Sequence, residues 1–379
     1  MVRETVFSNA GIVTPDAVIH GSVVVRDGVI AEIGEGPSRV GHDLGGEFLV
    51  PGLVELHTDH LESHIQPRPK VRWNPHAAVQ AHDAQLATAG VTTVLDAIRL
   101  GSDENQFLTG RDMREVADVI EQAGARGRLR ADHFIHLRCE VSAPNCFEDY
   151  GYFAEDPRVR LASLMDHAPG QRQFVSLEAY SIYYQPKLNL NDPDFRRFVE
   201  DRIEQSRVNA PANRRAIAEA CRARGVMLAS HDDATEEHVA ESVAFDVRIA
   251  EFPTTRMAAR ASSQAGLSVL MGAPNVIRGG SHSGNVSARD LAADGLLDIL
   301  SSDYIPFSLI QSAFFLADVE PAISLPRAVG MVSKRPAEAV GLFDRGAIEV
   351  GRRADLVRVL RDEAVPVVRE VWREGARVA

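Results

Sequence analysis

Apolar and polar positions change their period twice along this chain. In the first fifty residues they alternate: "GSVVVRDGVIAEIGEG" places apolar side chains at every second position on both sides of Asp27-Gly28, which predicts a hairpin. The last forty residues follow the same rule in "GAIEVGRRADLVRVL" and "VPVVREVWREGARVA". Between these ends, short apolar runs alternate with segments of helical period. Strands are expected at 53–59, 91–96, 132–140, 159–165, 226–231, 245–251, 267–271 and 298–303. One helix is well marked: Asn74 suits its cap, Pro75 its first turn, "HAAVQAHDAQLATA" its body and Gly90 its stop. The stretch from Tyr180 to Arg224 is longer than a crossover needs and holds a charged helix, "DPDFRRFVEDRIEQSR", a candidate lid.

Eight strands with helices between them predict an α/β fold, a (β/α)8 barrel. Neither chain end could bury a sheet face alone, so residues 1–50 and 340–379 are expected to pair into one small β domain beside a barrel of residues 51–339. The 379 residues, 45% hydrophobic and 25% charged, suffice for one large core and a small second one. No apolar run is long enough to span a bilayer, and "VRETVFSNAG" after Met1 lacks the apolar centre of a signal peptide. Three scattered cysteines, Cys139, Cys146 and Cys221, make neither a disulfide framework nor a zinc knuckle. These features lead to the expectation of a soluble cytoplasmic protein. A formal charge of −12 argues against nucleic acid or an anionic membrane as partner and is compatible with a homo-oligomer.

Catalytic groups of such barrels sit at the C-terminal ends of strands. Here "VELHTDHLESH" ends the first strand, and alternation puts Leu53, Glu55, His57 and Asp59 on one face. The second strand ends at Asp96, and the third places His136, Arg138 and Glu140 on one face with Cys139 opposite as a packed thiol. The fourth runs into Asp166-His167, the fifth ends at His231, the sixth at Glu251 and the eighth at Asp303. One such ending is noise, because a lone strand-end histidine is more often a hydrogen-bonded structural residue. Seven in eight make a pattern. His57, Asp59, Glu140, His167, His231, Glu251 and Asp303 are therefore candidate metal ligands, with Asp303 also the candidate proton acceptor. Asp232 and Asp233 after His231 have a plainer reading as a helix cap, and Arg138 is the plainer partner for Glu140. Asp96 and His136 are read as supporting or structural. Imidazole mixed with carboxylate suits divalent ions, Zn2+ first and then Mn2+ or Fe2+, and the number of carboxylates favours two. Such ions lower the pKa of water and orient it for attack, which is hydrolase chemistry.

"FLVPGLVELHTD" and the closing "GRRADLVRV" resemble the amidohydrolase superfamily, which implies a metal-dependent barrel with a small β domain made from both chain ends. The chain departs from the common pattern in reading H-x-D where H-x-H is usual, and in Glu251 where a histidine is common. "HTDHLESHIQPRPKVRWNP", "AHDAQLATAGVTTVLDA", "HLRCEVS", "LMDHAPGQRQF", "ASHDDAT", "LMGAPNVIRGGSHSGNVSA" and "LSSDYIPFSL" are similar to a divergent diphosphatase branch of that superfamily in bacterial phosphonate metabolism. That resemblance covers nearly the whole chain. It implies a phosphorylated-sugar substrate, a ribosyl 5-triphosphate cleaved to a 5-phosphate and pyrophosphate.

A triphosphate needs local donors in an acidic protein. "VIRGGSHSGNVSARDL" after the seventh strand offers Arg278, Gly279, Gly280, Ser281 and His282, with Gly284 and a Ser287/Asp290 capping box leading into a helix. "QPRPKVRW" adds Arg68, Lys70 and Arg72. Each segment alone reads equally well as a flexible or solvated loop. The alternatives are a C–N hydrolase acting on an N-acyl or cyclic amide, and a barrel kept only as a scaffold; facing carboxylates at strand ends speak against the scaffold.

Overall fold

The protein is described by a computed structural model over residues 4–68, 70–101, 108–172, 177–188, 190–281 and 284–379. Eight parallel strands follow one another in chain order: β1 (Leu53–Thr58), β2 (Val91–Leu100), β3 (Asp132–Glu140), β4 (Val159–Met165), β5 (Met227–His231), β6 (Ile249–Glu251), β7 (Ser268–Gly272) and β8 (Ile299–Ser301). The first and last meet through a Thr58–Asp303 bridge, giving the (β/α)8 barrel. All eight expected strands are present, and the differences lie at their ends. β2 runs four residues further, to Leu100, whereas the strand expected from 245 begins only at Ile249, because Phe245 to Val247 close the preceding helix.

Both chain ends join one second sheet, in the order Ala376–Arg377, Val367–Arg373, Leu356–Leu360, Phe48–Pro51, Glu4–Val13, Val18–Arg26, Val29–Glu35. Phe7, Ile12, Val23, Ile30, Leu49, Leu356 and Trp372 form its core. The hairpin turns at Asp27 and Gly28, both with positive φ (48° and 82°), the backbone that a two-residue turn between twisted strands requires.

Compact packing divides the chain into two units: Met1–Asp96 with Val119–Phe134 and Gly272–Ala379, and Ala97–Asp118 with Ile135–Met271. In the first, α1 (His60–Ile65) follows β1, and α2 (Pro75–Thr88) starts at Asn74, whose side chain accepts the N–H groups of His76 and Ala77. In the second, α3 (Asp192–Arg224) is capped by Asn191 and stopped by Gly225 at φ 67°. It is twice as long as the charged segment alone suggests, running on through Pro211. The reason is a polar face that continues past that proline. Arg202 donates to Ser142, Ser206 to Asp166, Asn209 to the Ser142 carbonyl, and Asn213 to the carbonyls of Val141 and Ala143. Side chains spaced like these share one helix face; Arg202, Asn209 and Asn213 hold the loop that follows Glu140, and Ser206 holds Asp166 after β4. Among the described residues no helix is long and apolar enough to cross a membrane.

The first unit also contains a buried ion network. His133 donates from Nδ1 to Asp96 (2.7 Å) and from Nε2 to Asp83 (3.3 Å), while Asp83 also accepts the N–H groups of Arg130 and Ala131. Burial opposes a charge on His133, but Asp96 and Asp83 outweigh it and raise its pKa to about 10. A raised pKa stabilises the fold fully below the unfolded value near 6.5 and loses that contribution as pH climbs through about 10. Denaturation midpoints measured from pH 6 to 10.5 should fall with this slope in the native protein, and the fall should be shallower in His133→Gln. Equal slopes would assign the charge elsewhere.

Candidate metal centre

Within the first unit the barrel's closing strands bring three expected residues together. Asp303 donates its N–H to the His57 carbonyl (3.1 Å), and its own carbonyl accepts the Asp59 N–H (2.9 Å). His57 Nε2 lies 3.7 Å from Asp59 Oδ1. Behind them Glu55, fully buried, accepts the N–H groups of His57 and Ser302, each at 2.6 Å. Burial pushes its carboxyl up to about 7 in spite of those bonds. Asp303 lies two residues past β8 and takes a left-handed φ of 55°. That conformation costs a non-glycine residue roughly 1–2 kcal/mol, though aspartate tolerates it better than most.

The second unit assembles the others. His167 donates from Nδ1 to Glu140 (2.6 Å), and Glu140 also accepts the Ser142 hydroxyl (2.6 Å) and the His167 N–H (3.1 Å). Burial alone would raise the Glu140 carboxyl, but His167, Arg99 and Ser142 reverse the sign and hold it well below the usual carboxylate range. His231 donates from Nδ1 to Glu251 (3.2 Å), which also accepts the Ser163 hydroxyl (2.6 Å). His136 shares that hydroxyl at 2.5 Å, and its Nε2 lies 3.9 Å from Glu251.

Ionised carboxylates can only accept, so Glu140 and Glu251 fix the proton of each imidazole on Nδ1 and leave Nε2 as a lone pair. Both lone pairs turn toward one atom. Asp232 Oδ2 sits 3.4 Å from His231 Nε2 and 3.7 Å from His167 Nε2. It is buried and takes no hydrogen bond. Two imidazole nitrogens and a carboxylate oxygen facing one another at these distances fit a cation, and that donor set suits Zn2+, Mn2+ or Fe2+. Glu140 and Glu251 then act on the far side of each ring, the carboxylate–histidine–metal arrangement.

Asp232 is the residue that sequence reasoning passed over. The helix after it, α4 (Glu236–Ala244), is capped by Thr235, which disposes of the capping role, and Asp233 instead pairs with Arg172. Asp232 takes a left-handed φ of 58°, and the two consecutive carboxylates take different partners, Asp232 beside His167 and His231 and Asp233 on Arg172. Glu140, expected as a metal ligand, takes His167 as its partner. Cys139 is buried and packed, as its parity implied.

The loop expected to hold phosphates is built differently from its outline. A short helix, α5 (Ala273–Arg278), stands between β7 and the glycines, and Gly279 ends it at φ 82°. A Cβ on Gly279 would meet the Arg289 guanidinium at 3.3 Å, and that guanidinium already donates to the carbonyls of Val276 and Ile277. Ser287 caps α6 (Ala288–Ala293) by accepting the Arg289 N–H rather than through a box with Asp290. Asn275 ties both sides of the loop, donating to the Val286 carbonyl and accepting the Ala288 N–H. Arg278 and Arg68 are exposed, Gly280 and Ser281 lie on the same loop, and His282 falls outside the described residues.

Residues 166–379 match the amidohydrolase family model. The alpha-D-ribose 1-methylphosphonate 5-triphosphate diphosphatase of Escherichia coli (strain K12) is 46% identical over 376 residues, covering 98% of this chain and 100% of that protein. The chain belongs to the amidohydrolase family. Solved amidohydrolase-like structures share the fold at low identity. The 5-methylcytosine deaminase from Klebsiella pneumoniae superposes with a TM-score of 0.66 at 15% identity, over 99% of this chain and 98% of that one. The N-acetyl-D-glucosamine-6-phosphate deacetylase from Mycobacterium smegmatis gives 0.65 at 16%, over 99% of both. As an amidohydrolase, the chain brings metal dependence to a carboxylate–imidazole set of the right chemistry.

A buried carboxylate oxygen without a hydrogen bond costs on the order of 1–3 kcal/mol, and a bound cation removes that cost. Asp232→Asn should therefore leave metal-stripped protein at least as stable as the native chain, since asparagine tolerates the left-handed backbone. Added Zn2+ should then raise the melting temperature of the native protein far more than that of the variant. Equal shifts would remove Asp232 from the ligand set.

Proposed function

We propose that this amidohydrolase cleaves alpha-D-ribose 1-methylphosphonate 5-triphosphate to the 5-phosphate and pyrophosphate, a step of phosphonate degradation. The observation that carries this reading is the 46% identity to the Escherichia coli diphosphatase across the whole of that protein. His57, Asp59 and Asp303 in one unit are one ligand group of this reading, and His167, His231 and Asp232 in the other are a second, with Glu140 and Glu251 as the carboxylates that orient the rings of the second. Two divalent ions, Zn2+ first, supply Lewis acidity that activates water and neutralises phosphate charge when bound.

The chain's own residues supply the rest. Asp303 is pinned at both backbone hydrogen-bonding groups, so its carboxylate is aimed by the main chain as well as by its rotamer, and it accepts the proton of the attacking water. Arg278, Gly279, Gly280, Ser281 and His282, with Arg68, hold the outer phosphates. This local field lets a protein of charge −12 accept a polyanion. Water attacks the phosphorus nearest the ribose, its oxygen stays on the sugar phosphate, and pyrophosphate leaves with the bridging oxygen.

Metal-loaded protein given the triphosphate in 18O-water should release pyrophosphate and place the label only in the sugar monophosphate. Label in pyrophosphate means attack at the middle phosphorus, orthophosphate alone means attack at the terminal one, and a better rate on a neutral amide moves the activity to C–N hydrolysis. In Asp303→Asn, turnover should fall by about 10²–10⁴-fold, the range for a lost general base, while metal content stays near native. Near-normal turnover would pass the proton to another group.

A further inference from the structure

The three ligand atoms of the second unit come from two separate loops. His167 stands two residues past β4, while His231 ends β5 and Asp232 follows it. A cation between them tolerates little error, because the orientation of the donors sets its affinity. The residues that adjoin these ligands, Asp166 and Asp233, are both buried carboxylates, and each is held on both oxygens. Asp166 accepts the Ala168 N–H on Oδ1 (3.2 Å) and the Ser206 hydroxyl on Oδ2 (2.8 Å). Asp233 accepts Arg172 on Oδ1 and the Ser242 hydroxyl on Oδ2 (3.2 Å). A carboxylate held in this way cannot turn. The peptides that join it to His167 in one loop and to Asp232 in the other are held with it.

Two arginines connect these aspartates through a third carboxylate. Arg172, bound to Asp233, donates from its other terminal nitrogen to Glu241 Oε2 at 2.7 Å. Arg214 of α3 donates to the second oxygen, Glu241 Oε1, at 3.0 Å and lies 3.6 Å from Asp166. The chain Asp166–Arg214–Glu241–Arg172–Asp233 thus runs from one ligand loop to the other. Its two aspartates and two arginines are buried, whereas Glu241, reaching in from α4, is 39% exposed. Two guanidiniums brought this close repel each other, and the carboxylate between them offsets that repulsion. Arg214 registers both effects. Burial and then the Arg172 charge lower its pKa, while Glu241 leads the groups that act to raise it.

We propose that Glu241, bridging Arg172 and Arg214, is a positioning residue that sets the spacing of the His167 loop and the His231–Asp232 loop, and so their grip on a divalent cation. The proposal rests on reading those three residues as a ligand group. Glu241 acts on them through the arginines. Without its charge the two buried guanidiniums move apart, and each carries its aspartate and the adjoining ligand loop with it.

The probe is Zn2+, titrated by equilibrium dialysis against the intact protein. The equivalent that Asp232→Asn loses marks the ligand group. Glu241→Gln keeps the length and helix position of the side chain but removes its charge. It should hold that same equivalent about ten-fold more weakly, with unchanged circular dichroism. Co2+ in place of Zn2+ adds a signature that a merely stabilising role would not move. Its visible absorption follows ligand geometry and should change in Glu241→Gln. Glu241→Asp keeps a charge between the guanidiniums and guards against a folding defect in the glutamine variant. Its affinity should fall between the other two. Native affinity with a native Co2+ spectrum in both Glu241 variants overturns the positioning role, even if their melting temperatures fall. If Asp232→Asn also binds like the native chain, the ligand group itself fails and the role of Glu241 fails with it. Pyrophosphate release is not read in either case, so the proposed function is tested apart.

Discussion

A buried carboxylate held against one nitrogen of an imidazole decides what the other nitrogen can do. Glu140 holds His167 and Glu251 holds His231, in each case at Nδ1. In each ring the proton is thereby placed and the opposite lone pair is fixed in direction before any ligand arrives. The surrounding structure serves that arrangement. The polar face of α3 grips the loop carbonyls after Glu140, and Ser163 keeps Glu251 in place. Removing these supports would leave the ligand atoms present but free to turn, and a site of this kind loses affinity through orientation as readily as through loss of a donor.

Backbone conformation adds a second layer. Asp232, Phe252 and Asp303 follow strands β5, β6 and β8, and all three take positive φ. A strand carried straight on would direct these residues away along the sheet. The left-handed residue breaks the alternation, so His231 and Asp232 can present donors to the same point although they are adjacent in the chain. The strain sits where chemistry is expected, as is common at functional sites.

Much of this was legible in the sequence because it depends on period and position. Alternation at both ends foretold the shared sheet, Asp27-Gly28 the hairpin, Asn74-Pro75 the start of α2, and the strand-end rule pointed to His57, Glu140, His167, His231, Glu251 and Asp303. What stayed hidden depends on contacts between distant residues. Nothing local says that Glu140 holds the His167 ring, or that α3 continues past Pro211 because Asn213 has carbonyls to hold. Asp232 was masked by a local rule that usually works, since an acidic residue before a helix normally caps it. Thr235 took that part, and a φ of 58° cannot be read from composition.

The sheet shared by the two chain ends has a consequence for how the protein is made. Leu356–Leu360 pairs with Phe48–Pro51, and the Arg358–Glu47 ion pair joins positions 311 apart. On a ribosome adding about 5–20 residues per second, the amino-terminal strands wait roughly 15–60 s for their partner. During that interval Phe48–Pro51 has an unpaired edge with apolar Leu49 and Val50 upon it, a template for mispairing. A chain interrupted before Leu356 would keep that edge unpaired.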